Sequence, residues 1–381
     1  MNWPKIALVA FVCAAVAAGG GGCATRPAPP LDAAAAAAPA PGSVLRSLPL
    51  DRALDARILA LDPERITEDD VRNTLAKGPT PRIMLLHGGI YPVHLAMISF
   101  GRFLVGMGYP ENRIRDPGDA SWSYSPYENS EHLAGIVAWQ YERDGMPPML
   151  IGHSQGGIQA VKILDELAGQ FAKSIPVWNP LTDAPEGRVT IIDPFTGDER
   201  PVVGLTVSYA SAVGAGGAAL LLPNQWTMIG RLHKIPDTVV DFTGYLIALD
   251  LVAWTVAGSA DASEFSANGS AHVRNVVLPA AYNHVTIPVV QALAGEAAVR
   301  DWLNAYRPDA PPQPPPPGEE GYAVLWAADV WYEVKKHWCL EAQKLVRVRM
   351  AAASSTLPQR PDGEKTTVGG TGGRPVTDGL E

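Results

Sequence analysis

Hydrophobic positions between about Ser43 and Arg307 alternate between short continuous apolar runs and longer segments with helical spacing. Short apolar runs bounded by turn residues are typical of buried strands, and helical segments between them are typical of crossover connections. The pattern therefore predicts an α/β fold with a mostly parallel sheet flanked by helices. The predicted strands are 82–86, 148–152, 205–211, 238–243 and 273–278, and the predicted helices are 93–105, 125–143, 155–167, 225–232 and 287–303.

Two short β-runs within 189–203 interrupt this alternation. They flank the turn-forming sequence Asp193-Pro194-Phe195-Thr196-Gly197-Asp198. Short strands on either side of such a turn predict a β-hairpin that is inserted in the α/β pattern.

A proline-rich stretch divides the second half of the chain. It predicts an extended linker at 308–321, which separates an α/β domain at 46–307 from a helical segment at 322–350. The helical segment is therefore predicted to be a separate C-terminal helix. Residues 351–381 are predicted to form a disordered tail.

The C-terminal helical segment carries Trp326, Trp331 and Trp338 together with several cations. One interpretation is a helix that packs on the body of the protein or on a partner. The other is an interfacial membrane helix, with tryptophan and cations at the lipid headgroups. We favour packing because Glu333 and Glu341 interrupt the charged face.

The N-terminal segment 1–22 has the layout of a secretory signal peptide. Lys5 gives a positive start, and the apolar run at 6–18 is shorter than the ~20 residues that span a bilayer. Small residues follow the run, as at a cleavage site. Residues 23–45 are rich in alanine and proline and cannot form a core, so they are predicted to be a tether.

The end of the signal, Gly20-Gly21-Gly22-Cys23, resembles a bacterial lipoprotein signal, in which the cysteine is acylated and becomes the new N-terminus. The sequence departs from that family at Gly20, where an aliphatic residue is usual. Because Ala24 is not aspartate, the resemblance implies export to the outer membrane of a Gram-negative cell envelope, with the membrane bound through a lipid on Cys23. The alternative is a plain signal peptide that is cleaved nearby.

Composition and charge exclude some classes of function. The chain of 381 residues has a formal net charge of −9 and no cluster of lysine and arginine, so nucleic acid is not an expected partner. Hydrophobic residues make up 47%, which is enough for a large buried core. Cys13, Cys23 and Cys339 show neither C-x-x-C nor Cys/His ligand spacing, so no metal site is expected.

The most informative motif is Gly152-His153-Ser154-Gln155-Gly156, a G-x-S-x-G sequence that follows a predicted strand and opens a predicted helix. In this setting the chain must turn sharply, which leaves the central serine in a strained backbone conformation. Small residues are needed two positions on either side because the neighbouring backbone comes too close for a Cβ. Such a turn exposes the Ser154 hydroxyl above the sheet edge and predicts a nucleophile.

With the motif in this context, the segment from about Pro79 to Arg300 resembles the α/β-hydrolase superfamily, and Gly-His-Ser-Gln-Gly-Gly is most similar to its esterase and lipase branch. The resemblance implies an oxyanion hole formed by two backbone N–H groups, those of Gln155 and Gly89. The sequence departs from the His-Gly-Gly-Gly esterase pattern at Ile90, where the third glycine is missing.

The superfamily runs nucleophile, acid and histidine along the chain. The histidines after Ser154 in the sequence are His233, His272, His284 and His337. His284 follows the last predicted strand and precedes the last predicted helix of the α/β domain. That position is the one the resemblance implies for the general base, so we choose His284.

The acid is harder to choose because Asp237, Asp241, Asp250 and Asp261 are all available. Asp250 preserves the alternation of elements, with a helix expected from Leu251. It also lies in an apolar segment, where a carboxylate is costly unless an imidazole N–H pairs with it. We therefore choose Asp250, with Asp261 as the next candidate.

These residues predict an exported serine hydrolase of carboxylic esters, an esterase or lipase that acts on an acyl-ester or lipid substrate through an acyl-enzyme. The mechanism requires no metal and no organic cofactor. A thioesterase or amidase with the same triad is the alternative among enzymes. The alternative outside enzymes is an inactive envelope-anchored binding or scaffold protein. Candidate lining residues for an apolar acyl site are Tyr91, Trp122, Tyr124, Tyr127 and Trp226.

Overall fold

A central sheet of parallel strands organises the protein. The computed structural model describes residues 51–254, 263–311, 314–316 and 323–355. The strands of the central sheet are β1 (Ile83–Leu86), β2 (Met149–His153), β3 (Val207–Val213), β4 (Val239–Ile247) and β5 (His272–Leu278). They lie in the sheet in chain order, and each neighbouring pair is parallel. The loops that follow the strands therefore meet at one edge of the sheet.

Helices cover both faces of this sheet. The described α-helices are α1 (Arg52–Ala60), α2 (Glu68–Asn73), α3 (Tyr91–Gly106), α4 (Ser130–Asp144), α5 (Gln155–Leu167), α6 (Ala297–Ala305) and α7 (Val324–Ser355). In β1, Ile83 and Leu85 join the hydrophobic cluster that contains α3, α6 and α7, and Met84 and Leu86 join the cluster that contains α4 and α5. This division is expected because successive side chains of a strand point to opposite faces.

The predicted fold class is confirmed. A mostly parallel sheet flanked by helices on both faces is the architecture of the α/β-hydrolase fold. The predicted inserted hairpin is also present, with Thr190–Ile192 antiparallel to Glu199–Pro201. A second antiparallel pair, Trp178–Asn179 with Ala184–Pro185, was not predicted.

The predicted start of helix α4 at Ser125 is wrong by several residues. The Ser125 N–H does donate to the Glu128 carboxylate (2.9 Å), as in a helix cap, but the Glu128 N–H donates to the Ser125 carbonyl (3.2 Å) and closes an isolated turn. The helix begins later because the Asn129 side chain accepts the N–H of Glu131 (2.9 Å) and caps it.

The single helix predicted over 287–303 is wrong as well. The chain instead forms a 3-10 turn at Gln291–Ala294 and then helix α6. Pro288 and Gly295 explain the division, since proline removes a backbone donor and glycine is a poor helix former. The segment predicted as a helix over 225–232 is a 3-10 helix at Pro223–Met228.

The prediction of a helix that begins at Leu251 is also wrong. Strand β4 continues to Ile247, four residues beyond its predicted end, and residues 251–254 form turns. The rest of that predicted helix, and Asp261 with it, lies in 255–262, outside the described residues.

The C-terminal helix α7 packs on the body of the protein, as the favoured interpretation predicted. Trp326, Trp331 and Trp338 are each 1% exposed or less and belong to the same hydrophobic cluster as α3 and α6. The helix predicted as separate is therefore part of the main core: every residue from Ala323 to Cys339 except Leu325 and Lys336 is buried. It runs to Ser355, so it extends into the segment predicted as a tail.

No helix in the described part of the chain combines the length and the apolar character that crossing a bilayer requires. The predicted signal peptide at 1–22, the tether at 23–45 and Cys23 all lie outside the described residues.

Candidate active site

Ser154 lies at a sharp turn between strand β2 and helix α5. Its backbone has φ 56° and ψ −124°, a conformation rare for a residue with a side chain. A Cβ at Gly152 would come within 2.6 Å of the Gly157 Cα, and one at Gly156 would collide with the Leu86 carbonyl. The glycines of the motif are therefore required by the packing of this turn.

The structure brings Ser154, His284 and Asp250 together. The His284 Nε2 lies 2.8 Å from the Ser154 Oγ, and the His284 Nδ1 lies 2.6 Å from the Asp250 Oδ2. His284 follows β5 and Asp250 follows β4, so the two side chains come from neighbouring loops at the carboxyl ends of the strands. His284 is 8% exposed and Asp250 is 3% exposed.

Hydrogen bonds fix the charge of Asp250. Its Oδ1 accepts the N–H groups of Val252 (2.9 Å) and Ala253 (3.0 Å). Burial alone raises the pKa of Asp250, but the hydrogen bond and charge of His284 and these two N–H groups outweigh burial and hold the pKa below its ordinary value. An ionised Asp250 accepts the Nδ1–H of His284, which leaves Nε2 free to accept the Ser154 hydroxyl proton.

Gly214 lies directly against this pair and was not identified as a site residue from the sequence. Its φ is 60°, and a Cβ there would come within 2.9 Å of the His284 Nδ1 and 3.3 Å of the Asp250 Oδ2. The glycine-rich sequence that follows β3 was the available signal. The absence of a Cβ at this position lets the imidazole and the carboxylate meet.

His153, the residue before the nucleophile, is a second residue that sequence analysis missed. Its Nε2 donates a 2.7 Å hydrogen bond to the backbone carbonyl of His284, and its side chain is 1% exposed. Burial, together with a smaller effect of the nearby charge of His284, lowers the pKa of His153 to about 3. His153 is therefore neutral over the physiological range and holds the backbone of the loop that carries His284.

The predicted oxyanion donors lie beside the nucleophile. Gln155 is the first residue of α5, where a backbone N–H has no carbonyl partner within its own helix. A Cβ at Gly88 would be 3.0 Å from the Ser154 Cβ, so the loop after β1 passes over the serine. A Cβ at Gly89 would collide with the Gln155 side chain, and the Gly89 carbonyl accepts the Tyr127 hydroxyl (3.0 Å). The donor role of Gly89 and Gln155 stays a prediction.

The other candidate acids of the described residues have different partners. Asp241 lies near the start of β4, where it contacts the His272 Nδ1 (2.9 Å) and the His337 Nε2 (3.1 Å). Asp237 accepts the backbone N–H and the hydroxyl of Ser270. Both are near the amino ends of the strands, at the sheet edge opposite to Ser154.

Two of the aromatic residues considered for an acyl site are structural. Tyr124 is 7% exposed and donates its hydroxyl to Asp116 (2.6 Å). Trp122 packs against Gly101, with the Arg115 guanidinium 4.7 Å from its ring centre. In contrast, Tyr91, Tyr127 and Trp226 are all more than half exposed.

Comparison with known proteins gives limited similarity. No family model matches the chain, and no curated protein matches it. Among solved structures, a protein from Pectobacterium atrosepticum named as a YdeN-like hydrolase is 15% identical, with 55% of this chain and 84% of that chain covered and a TM-score of 0.25. RedJ, solved with polyethylene glycol in its active site, is also 15% identical. The match covers 61% of this chain and 89% of RedJ, with a TM-score of 0.28. Similarity at this level does not define the function of this chain.

Proposed function

We propose that this protein is a serine hydrolase that cleaves carboxylic esters through an acyl-enzyme. The observation that carries the proposal is the continuous contact from the Ser154 Oγ through His284 to Asp250, with distances of 2.8 Å and 2.6 Å. A hydroxyl in contact with an imidazole, which is oriented in turn by a carboxylate, is the arrangement that activates serine for nucleophilic attack.

In the first half of the reaction, the Ser154 Oγ bonds to the ester carbonyl carbon while its proton moves to the His284 Nε2. The Gln155 and Gly89 N–H groups stabilise the oxyanion that forms. Collapse of this intermediate breaks the bond to the alcohol oxygen, which takes the proton from Nε2. Water then attacks the acyl-enzyme with His284 as base, and the acid leaves as Ser154 recovers its proton.

Exposed apolar side chains are frequent in the chain segments that follow the strands and carry the site residues. Most of the exposed large hydrophobic residues follow the carboxyl ends of the strands, although such residues are normally scattered singly. They are Tyr91, Leu95, Tyr127, Leu221, Trp226, Ile229, Leu249, Leu251, Trp254 and Val289. We therefore propose an ester with an apolar acyl chain, as in an esterase or lipase.

Two tests together examine this proposal. In the first, the parent protein and Ser154→Ala are treated with a fluorophosphonate probe, with Ser270→Ala as the matched control, because the Ser270 hydroxyl contacts Asp237 at the other sheet edge (3.1 Å). We expect the probe to label the parent and Ser270→Ala but not Ser154→Ala. An unlabelled parent would favour an inactive scaffold.

In the second test, p-nitrophenyl acyl esters are compared with matched thioesters and anilides. We expect the oxygen ester to have the highest kcat/KM and Ser154→Ala to abolish turnover, since loss of a nucleophile costs several orders of magnitude. Residual turnover within about tenfold of the parent would contradict the role of Ser154. A higher kcat/KM for the thioester or the anilide would assign the same triad to a thioesterase or an amidase.

We also propose that the protein is exported and held at the cell envelope by a lipid on Cys23. The support is the glycine-cysteine end of the N-terminal apolar segment and the alanine/proline-rich stretch that follows it.

A further inference from the structure

A cavity separate from the candidate active site lies between α7, the end of α6 and the segment that leads into α2. Its volume is ≈ 120 Å³, and Glu64, Arg65, Arg307, Tyr332 and Lys335 are among its lining residues. Lys336, the residue after Lys335, is 4.0 Å from Asp241 near the start of β4. The cavity is therefore close to the amino ends of the strands, whereas Ser154 follows the carboxyl end of β2.

Lys335 is buried beside this cavity with only neutral oxygen partners. Its side chain is 2% exposed, and its Nζ donates to the carbonyls of Ile66 (2.9 Å) and Asn304 (3.0 Å) and to the Asn304 side-chain oxygen (3.5 Å). Burial, together with a smaller effect of the Arg307 charge and against the opposing effect of Asp70, lowers the pKa of Lys335 to about 7. A buried ammonium that lacks a counter-charge is costly.

Three of the acidic groups near the cavity have partners of their own. Glu64 accepts the Tyr332 hydroxyl and pairs with Lys336 (3.2 Å). Asp70 caps its own helix by accepting the backbone N–H and the hydroxyl of Thr67. Asp329 accepts the hydroxyl of Tyr306 (3.1 Å).

The cations on the cavity wall are, in contrast, largely unpaired. Arg65 has a loose contact with Asp62 (3.6 Å), in which both side chains are more than half exposed. In the described part of the chain, no acidic side chain pairs with Arg307 or with Lys335. Among the residues that the structure describes, Arg307 and Lys335 therefore face the cavity without an acidic partner.

We propose that this cavity binds a small oxyanion, a carboxylate or inorganic phosphate, between Lys335 and Arg307. The guanidinium of Arg307 offers paired donors that match such an anion, and Lys335 offers a compact charge. A polar cavity of ≈ 120 Å³ holds water, which a small anion replaces, and it is too small for a long acyl chain. The site is independent of the ester-hydrolase proposal.

Anion binding at this site is coupled to protonation of Lys335. In the protein without a bound anion, the Lys335 ammonium loses its proton near pH 7. A bound anion favours the charged form of Lys335. Anion binding above pH 7 therefore takes up a proton and becomes weaker as the pH rises. The charged and titratable groups around Lys335 and the cavity are Glu64, Arg65, Asp70, Tyr306, Arg307 and Tyr332, with Asp309 acting on Tyr332. A variant that lacks only Lys335 distinguishes proton uptake by Lys335 from proton uptake by these neighbouring groups.

The test is isothermal titration of the full chain with sodium phosphate and with sodium acetate, at constant ionic strength set with chloride and in two buffers of different ionisation enthalpy. We expect at least one anion to bind with proton uptake at pH 8. Lys335→Met, which keeps the length of the side chain, and Arg307→Gln are each expected to weaken binding about tenfold or more. Lys344→Met is the control, because Lys344 is exposed and its Nζ lies over the Phe195 ring (4.9 Å).

Each outcome decides the proposal. Binding of phosphate, acetate or both to the parent and to Lys344→Met, but not to the two cavity variants, supports it and identifies the anion. Absence of binding by both anions, or affinity in Lys335→Met within about twofold of the parent, overturns it. If Lys335→Met does not fold, the half-buried Arg307→Gln variant decides by the same criterion.

Discussion

The His153 side chain donates a 2.7 Å hydrogen bond to the backbone carbonyl of His284, which is 131 residues later in the chain. This contact joins the end of strand β2, next to the proposed nucleophile, to the loop that carries the proposed base. It is fully buried, so no water competes for either partner. The position of His284 relative to Ser154 therefore depends on a residue that does not itself touch the Ser154 hydroxyl.

We expect His153→Leu to lower kcat more than it raises KM, because the loop that carries His284 loses its buried hydrogen-bond donor. The unsatisfied His284 carbonyl also costs about 1–3 kcal/mol of unfolding free energy. Ester hydrolysis and urea denaturation measure the two effects. His132→Leu is the control, because His132 stacks on Trp178 at a centroid distance of 3.8 Å, away from the site. Unchanged kcat in a folded His153→Leu variant would remove the positioning role.

The same histidine predicts a pH dependence of stability. The pKa of His153 is about 3 in the folded protein and about 6.5 in the unfolded chain, so the unfolded chain binds this proton first as the pH falls. Its contribution to stability is complete above about pH 6.5 and is lost progressively towards about pH 3, at up to about 1.4 kcal/mol per pH unit.

His153→Gln keeps an N–H donor but cannot titrate. We therefore expect the unfolding free energy of this variant to depend less steeply on pH than that of the parent between about pH 6 and pH 4. The difference in slope corresponds to the uptake of nearly one proton on unfolding, and urea denaturation at a series of pH values measures it. His87, whose pKa burial lowers to about 4, contributes in the same direction in both proteins and cancels in the comparison. Equal slopes in the two proteins would contradict the low pKa of His153.

Short-range patterns were sufficient to predict the centre of the fold. Strand β2 and helix α5 follow from a continuous apolar run, a glycine-bounded serine and a helical segment, all within about twenty residues. The start of α4 was not predictable in this way. The hydrogen bond from the Ser125 N–H to the Glu128 side chain occurs both in a helix cap and in an isolated turn. The helix begins after this turn because the Asn129 side chain caps it.

Contacts between distant parts of the chain were the features that the sequence left open. The three tryptophans of α7 predict burial but not the surface that buries them, which is formed by α1, α3 and α6. In the sequence Lys335 is one of several cations of that helix, and nothing local indicates that its partners are carbonyls of Ile66 and Asn304 from two other segments. The glycine-rich sequence after β3 marks Gly214 as a turn residue, but its contact with His284 and Asp250 depends on where two distant loops meet.

The proposed lipid anchor predicts a change of location in Cys23→Ser. We expect the parent protein to fractionate with membranes and the variant to be released into the soluble fraction, because the variant lacks the thiol that would carry the lipid. Cys339→Ser is the matched control, since Cys339 is fully buried in α7. Membrane association of Cys23→Ser equal to that of the parent would show that the anchor lies elsewhere.

The choice of Asp250 as the acid predicts a large loss of turnover in Asp250→Asn. An amide there presents its own N–H to the imidazole and favours the wrong tautomer, a change that costs about 10⁴ in turnover in a well-studied serine protease. Asp241→Asn and Asp261→Asn are expected to keep near-parental kcat. Thermal denaturation must show each variant folded, because Asp250 is buried. An inactive, folded Asp261→Asn variant would transfer the role of acid to Asp261.

Gly214 and Gly230 provide a matched pair for the last prediction. Both have positive φ, 60° and 76°, so alanine strains the backbone at each by about 1–2 kcal/mol. A Cβ at Gly230 has no neighbour within 4 Å, whereas one at Gly214 would come within 2.9 Å of the His284 ring. We therefore expect similar losses of unfolding free energy from backbone strain in the two alanine variants, with any additional loss at Gly214 due to the clash.

Turnover should separate the two variants. Gly214→Ala displaces the His284 ring from Asp250 and Ser154, so we expect kcat to fall by about tenfold or more, since a misplacement of about 1 Å in a catalytic group has effects of this order or larger. Gly230→Ala should keep a kcat close to that of the parent. Steady-state kinetics with a p-nitrophenyl ester and urea denaturation of both variants provide the comparison. If the two variants lose kcat equally, backbone strain rather than contact with His284 explains the effect, and the requirement for glycine at position 214 is structural.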